Sequence, residues 1–144
     1  MMNRDEEIYL LVDDLGFSFI EEIQKHFPER VINCGITEQS MVGIAAGLAL
    51  GGKKPYLYGT APFLIMRPYE QLRDDVCYNN LDVKIFATGA GDFLGFTHNL
   101  SKDEDVKILK HLPNLKVYIP KSKEELKKVI IKSYGTKRPA YIRL

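Results

Sequence analysis

The 144-residue chain has no tryptophan, only two cysteines and almost no net charge. Cys34 and Cys77 form neither a metal-binding spacing nor a disulfide framework, so we expect two ordinary buried or half-buried thiols. A net charge of +1 offers no electrostatic case for nucleic acid or a membrane surface as a partner. No apolar run approaches the roughly 18 residues of a membrane span, and the acidic N-terminus is unlike a secretory signal. These features predict a cytoplasmic protein.

Several common catalytic motifs are also missing from the sequence. There is no GxGxxG or GxxxxGK[ST] phosphate loop, and the segment "GAGDFLG" matches neither. There is no GxSxG nucleophile motif, and no His/Cys/Asp cluster has the spacing of metal ligands. The lysine-rich segment "KSKEELKKVIIK" is typical of the solvated face of an amphipathic helix rather than of a phosphate-binding patch.

What the sequence does have is a regular alternation of strand-like and helix-like segments. Strands are predicted over 7–14, 30–35, 54–59, 82–88, 115–120 and 139–144, and helices over 16–27, 37–51, 68–80, 103–112 and 122–135. This order predicts an α/β fold of three layers, αβα, with a mostly parallel sheet and helices on both faces. Because there is no linker, repeat or low-complexity segment, residues 1–144 are expected to form one domain.

Three segments that follow predicted strands contain the candidate functional residues. They are "NCGITEQ", "YGTAPFLIMRPYEQ" and "TGAGDFLGFTHN". Parallel α/β sheets bind ligands at the carboxyl ends of their strands, so these segments are expected to meet at one edge of the sheet.

Glu38 lies at the start of the helix "EQSMVGIAAGLALGG", just after a predicted N-cap at Thr37. A helix dipole favours an acid in this position, so the sequence alone allows a purely structural role. The small residues behind Glu38 are compatible with tight core packing or with a subunit interface.

The segment "PFLIMRPYEQLRDD" contains Phe63, Met66 and Tyr69 at intervals of three residues. This spacing is typical of a core stripe on a helix. Because Pro68 should break such a helix, the alternative is an irregular apolar loop that offers a ring face to a flat heterocycle. His98, in the glycine-containing loop, is compatible with a catalytic role or with none.

Taken in order, the segments resemble the pyrimidine-binding domain of the transketolase family of thiamine diphosphate enzymes, as found in the C-terminal subunit of split transketolases. The resemblance rests on "RVINCGITEQSMVGIAAGLALGGKKPYLYG", "FLIMRPYEQLRDDV", "GFTHNLSKDEDVKILKHLPNLKVYIP" and "RPAYIRL". It covers nearly the whole chain. It implies a thiamine diphosphate-dependent transferase that moves a two-carbon ketol unit between sugar phosphates or related small molecules.

The resemblance also implies roles for individual residues. Glu38 would be the acid that hydrogen-bonds N1′ of the cofactor's aminopyrimidine and so helps to generate the carbon nucleophile. Phe63 would stack on the aminopyrimidine, with Met66 and Tyr69 lining the same pocket.

The same comparison assigns two substrate-binding residues. His98 would contact substrate oxygens near the reacting carbon. Arg67 and Gln71 match the split-transketolase pattern, and they would contact substrate phosphate or brace the helix against the loop. One departure leaves the substrate open. Where full-length transketolases have Asp-Gly-Pro-Thr-His, this chain reads "LGFTH", with Leu94 and Phe96 in place of the acid and the proline.

The family holds the cofactor's diphosphate and Mg²⁺ in a separate domain with a Gly-Asp-Gly segment, and this sequence has none. The chain is therefore expected to bind no metal itself. It would work with a partner subunit that bears the diphosphate-binding domain, in a homodimer or heterotetramer. The alternatives are a component of deoxyxylulose-phosphate synthase or 2-oxo acid dehydrogenase beta type, or a non-catalytic assembly module.

Overall fold

The centre of the protein is a six-stranded sheet, described by a computed structural model over residues 1–15, 19–91 and 98–144. Its strands are β1 (Ile8–Val12), β2 (Val31–Asn33), β3 (Lys54–Thr60), β4 (Lys84–Thr88), β5 (Lys116–Tyr118) and β6 (Ala140–Arg143). Every neighbouring pair is parallel, and the strand order is β2-β1-β3-β4-β6-β5. The predicted parallel α/β sheet is confirmed, and its two edge strands are three residues each.

Helices connect the strands in the five regions that the sequence predicts, and a further helix follows β3 directly. They are α1 (Phe19–His26), α2 (Glu38–Leu50), α3 (Ala61–Met66), the single turn α4 (Tyr69–Gln71) with its π-helical continuation (Leu72–Cys77), α5 (Glu104–Leu109) and α6 (Lys123–Tyr134). A 3₁₀ turn, Pro28–Arg30, precedes β2. Gly51 caps the end of α2, and Gly52 follows with a φ of +83°, a conformation that glycine adopts without strain. None of the described helices is long and apolar enough to cross a bilayer.

The alternation of side chains along the strands separates two cores. In the register of β1 and β3, Leu11 lies opposite Leu57, and both belong to the main core beneath α2 and α3. The next residue, Val12, points to the other face, where it packs with Ile20 of α1. Helices therefore cover both faces, which confirms the three-layer prediction.

The segment before Pro68 differs from both sequence interpretations. It is the helix α3 rather than an irregular loop, because Pro62 lies in the first turn, where a missing N–H costs nothing. Its core residues are Leu64 and Ile65, whereas Met66 is exposed, so the interpretation of Phe63, Met66 and Tyr69 as one core stripe is wrong as well. Pro68 does separate α3 from α4.

Candidate functional site

Elements from three strands meet at the carboxyl edge of the sheet. α2 begins after β2, α3 follows β3 directly, and β1 ends beside both. An open pocket of about 450 Å³ lies at the start of α2. It is lined by Ile36, Thr37, Glu38, Gln39, Ser40 and Arg67. We call this pocket, with Phe63 and His98 beside it, the candidate site.

Glu38 is the first residue of α2, and only 5% of it is exposed. Arg67 Nη1 donates a hydrogen bond of 2.5 Å to Glu38 Oε1, so the carboxylate is held in a charge-assisted pair. Thr37 does not cap the helix through its side chain, contrary to the sequence prediction. Its hydroxyl donates instead to the Cys34 carbonyl at 2.7 Å, which fixes the loop before α2.

The guanidinium of Arg67 also lies over an aromatic ring. Its Cζ is 4.1 Å from the centroid of Phe63, within the range of a cation–π contact. The imidazole of His98 meets the same ring edge-on, at 5.3 Å between centroids and 70° between planes. His98 is exposed and has a φ of +61°, a left-handed conformation in which histidine is enriched. The structure thus brings Glu38, Phe63, Arg67 and His98 together.

Met66 and Tyr69 lie outside the residues that line this pocket. Met66 is 52% exposed at the end of α3. Tyr69 packs against the main core, and its hydroxyl is 3.4 Å from the Ile108 carbonyl oxygen. Their predicted roles in lining the cofactor pocket stay predictions. The two substitutions Leu94 and Phe96 lie outside the described residues.

Sequence reasoning missed Asp13, which follows β1 at the same edge. Only 5% of it is exposed, and neither carboxylate oxygen has a hydrogen-bond partner in the described part of the chain. Burial raises the pKa of Asp13 to about 6, and the nearby charge of Glu38 acts in the same direction. The residue's own backbone N–H, which makes no hydrogen bond of good geometry to the carboxylate, and the charge of Arg67 oppose the shift. Asp13 is therefore a buried acid within electrostatic reach of the Glu38–Arg67 pair.

Glycine at position 59 makes room for this carboxyl group. A Cβ on Gly59 would lie 2.3 Å from Asp13 Oδ2, so no larger residue fits without displacing Asp13. The register of β1 and β3 pairs Val12 with Tyr58, which puts Asp13 and Gly59 next in line on the face of Leu11 and Leu57. An acid on the core-facing side of a strand end, opposite a strand glycine, is the sequence pattern that could have identified Asp13.

Comparison with known proteins now assigns the family. The model "Transketolase, pyrimidine binding domain" matches residues 1–144, the whole of this chain. The chain belongs to the transketolase pyrimidine-binding domain family. This confirms the family resemblance of the sequence and agrees with the topology of the sheet.

Individual relatives of this pyrimidine-binding domain come from split transketolases. The chain is 40% identical over 138 residues to one subunit of the apulose-4-phosphate transketolase of Actinobacillus succinogenes, covering 94% of this chain and 44% of that protein. It is 37% identical over 143 residues to a putative transketolase C-terminal section of Methanocaldococcus jannaschii, covering 96% and 45%. A solved structure of a split gene transketolase, an inactive beta4 tetramer, has a TM-score of 0.85 and 36% identity, covering 99% and 46%. The chain thus spans less than half the length of these relatives.

Proposed function

We propose that this chain supplies the pyrimidine-binding half of a thiamine diphosphate-dependent transketolase site, which transfers a two-carbon ketol unit between sugar phosphates. The transketolase family uses thiamine diphosphate. In this proposal Glu38 binds N1′ of the aminopyrimidine and Phe63 stacks on the ring. The observation that carries it is the arrangement of Glu38 and Phe63 around a single flat group.

That flat group is the guanidinium of Arg67. Its contacts with Glu38 and Phe63 indicate whether the site could hold an aminopyrimidine. A guanidinium is planar and forms hydrogen bonds through nitrogen atoms at its edge, as an aminopyrimidine does. Here it donates to Glu38 at 2.5 Å and lies 4.1 Å from the centroid of Phe63. A carboxylate and a ring face that hold one planar nitrogen group in this way have the spacing to hold another. The residues present therefore fit the group.

The proposed role of each residue follows from where it lies in the candidate site. Glu38, shielded from water, holds a proton at the ring nitrogen, and Phe63 fixes the plane of the ring. When bound, thiamine diphosphate supplies a carbon nucleophile for attack on a ketose carbonyl. In this proposal His98, which lies beside Phe63, contacts substrate oxygens, and Arg67 contacts substrate phosphate. Met66 and Tyr69 are retained as candidates for the outer wall of the cofactor pocket.

Activity is proposed to require a partner chain. We assign residues 1–144 to a single pyrimidine-binding domain, and the diphosphate and its Mg²⁺ to a partner subunit bearing the diphosphate-binding domain. The solved split gene transketolase supports this, because its tetramer of β chains alone is inactive. A homodimer or heterotetramer with the site at the chain interface is the simplest symmetric assembly.

The test is reconstitution with a chain that bears the diphosphate-binding domain of a split transketolase. The mixture should transfer a ketol unit from a ketose phosphate to an aldose phosphate, whereas this chain alone should show no transfer and bind thiamine diphosphate weakly. Glu38→Gln should reduce turnover of the mixture by at least about 100-fold, because the amide cannot exchange the proton. Glu124→Gln removes the same charge from the first turn of α6 and should leave turnover unchanged. Equal activity of the two variants would refute the role of Glu38.

A further inference from the structure

Arg67 occupies both contacts that the proposed cofactor needs. Its Nη1 is bonded to Glu38, and its guanidinium lies against Phe63. A ligand ring cannot lie on Phe63 and form a hydrogen bond with Glu38 while Arg67 does both. Because 40% of the Arg67 side chain is exposed and it lines the open pocket, the guanidinium has room to move away from Glu38. A guanidinium that loses a charge-assisted bond gains from a new carboxylate partner. Because it has five N–H donors, such a pair leaves others available for the proposed contact with substrate phosphate.

Asp13 is positioned to be that acceptor. It follows β1, whose neighbours in the sheet are β2 and β3, so it lies where the strand order reverses direction. This is the place at which α/β sheets bind ligands. Its two oxygens have no partner in the described residues, and a buried carboxylate without partners gains strongly from a cation.

The charges around Asp13 favour the same transfer. The groups that act on it electrostatically, or that its own charge acts on, are Asp14, Cys34, Glu38, Tyr58 and Arg67. Of these five, Arg67 is the cation, and it works against the burial that raises the pKa of Asp13. Moving Arg67 from Glu38 toward Asp13 would give a positively charged partner to Asp13, the acid that has no hydrogen bond in the described residues.

We propose that Arg67 is a placeholder in the cofactor pocket, and that Asp13 is a positioning residue that receives its guanidinium when a ligand takes Glu38 and Phe63. This inference rests on the proposed function for the identity of the ligand. It assigns Asp13 a role in binding without contact to the ligand. It also explains why a buried acid is kept where an asparagine or a serine would fold more easily.

A double-mutant cycle with thiamine diphosphate as the probe tests the proposal. Binding to the full chain is measured by ligand-observed NMR for the wild type, Asp13→Asn, Arg67→Met and the double variant. Asp13→Asn should weaken binding about tenfold, because the displaced guanidinium loses its acceptor. In the Arg67→Met background the same change should alter binding less than twofold. Asp75→Asn, an exposed carboxylate on the π-helical segment, is the matched control and should have no effect. Equal losses in both backgrounds would overturn the proposal.

A second measurement needs no ligand and separates this proposal from the proposed function. The carboxyl ¹³C signal of Asp13 is titrated in the wild type and in Glu38→Gln, which frees Arg67 from its acid. The midpoint for Asp13 should fall, and it should fall further than the same substitution causes in the Arg67→Met background. If thiamine diphosphate binds neither the wild type nor any variant, the cofactor assignment fails. This titration still decides whether Arg67 can move from Glu38 to Asp13. An equal fall in both backgrounds would show that Arg67 does not move to Asp13, and would overturn the proposal.

Discussion

Replacing Asp13 by asparagine should make the folded chain more stable above neutral pH. The side chain is 5% exposed and its oxygens have no partner in the described residues, so burial raises its pKa from 3.8 to about 6. An acid with a raised pKa binds its proton more tightly in the folded state. Its contribution to stability is complete below about pH 3.8 and is lost as the pH rises through about 6. Because a difference of one unit in pKa corresponds to about 1.36 kcal/mol, the rise from 3.8 to about 6 makes the loss about 3 kcal/mol.

The experiment is urea unfolding followed by far-UV circular dichroism between pH 4.5 and 8, since the chain has no tryptophan. Asp13→Asn should gain about 2–3 kcal/mol over the wild type across this range, with most of the change between pH 4.5 and 6.5. Any cost of burying the amide is the same at every pH and drops out of the comparison. Asp75→Asn should follow the wild type throughout. Parallel curves for the wild type and Asp13→Asn would refute the claim that Asp13 is buried without a partner.

Three further substitutions test the packing around the site and the core. Gly59→Ala should destabilise the fold by about 1–3 kcal/mol in urea unfolding, because its Cβ would meet the Asp13 carboxyl group at 2.3 Å. Adding Asp13→Ala should recover part of that loss, and no recovery would contradict the contact. Lys84→Met should cost about 3 kcal/mol in the same assay, because the buried ammonium of Lys84 bonds one carboxylate and two backbone carbonyls. Asp105→Asn should cost about 3 kcal/mol at pH 7 through loss of the bonds to Arg143. Because these bonds lower the pKa of Asp105, the deficit should shrink as the pH falls below about 4, and a constant deficit would argue against the ion pair.

Much of the candidate site could be predicted because the topology of a parallel sheet brings its residues to one edge. Once the strands are recognised as parallel, the segments that follow them must meet at one edge. Glu38 was expected there as the first residue of a helix after β2, and the segment from Phe63 to Arg67 as the connection after β3. Their juxtaposition requires no knowledge of individual side-chain angles.

What could not be predicted depends on rotation about an element or on a single contact. The two adjacent aspartates after β1 look equivalent in the sequence, yet Asp13 is buried and Asp14 is exposed, because only one continues the core-facing side of the strand. The spacing of Phe63, Met66 and Tyr69 suggested one shared surface, but the break at Pro68 turns Tyr69 toward α5. The pairing of Arg67 with Glu38 joins residues 29 apart and has no local pattern at all.

The short outer strands of the sheet have a consequence for assembly. β2 and β5, at the two borders, are three residues each, so they expose little backbone to which a foreign strand could add. Fibril-like templating through these borders is therefore disfavoured even at high concentration. We expect stable complexes to form instead through side chains on the helical layers or at the carboxyl edge of the sheet. On such surfaces the side chains, rather than backbone hydrogen bonds between strands, determine which partner binds.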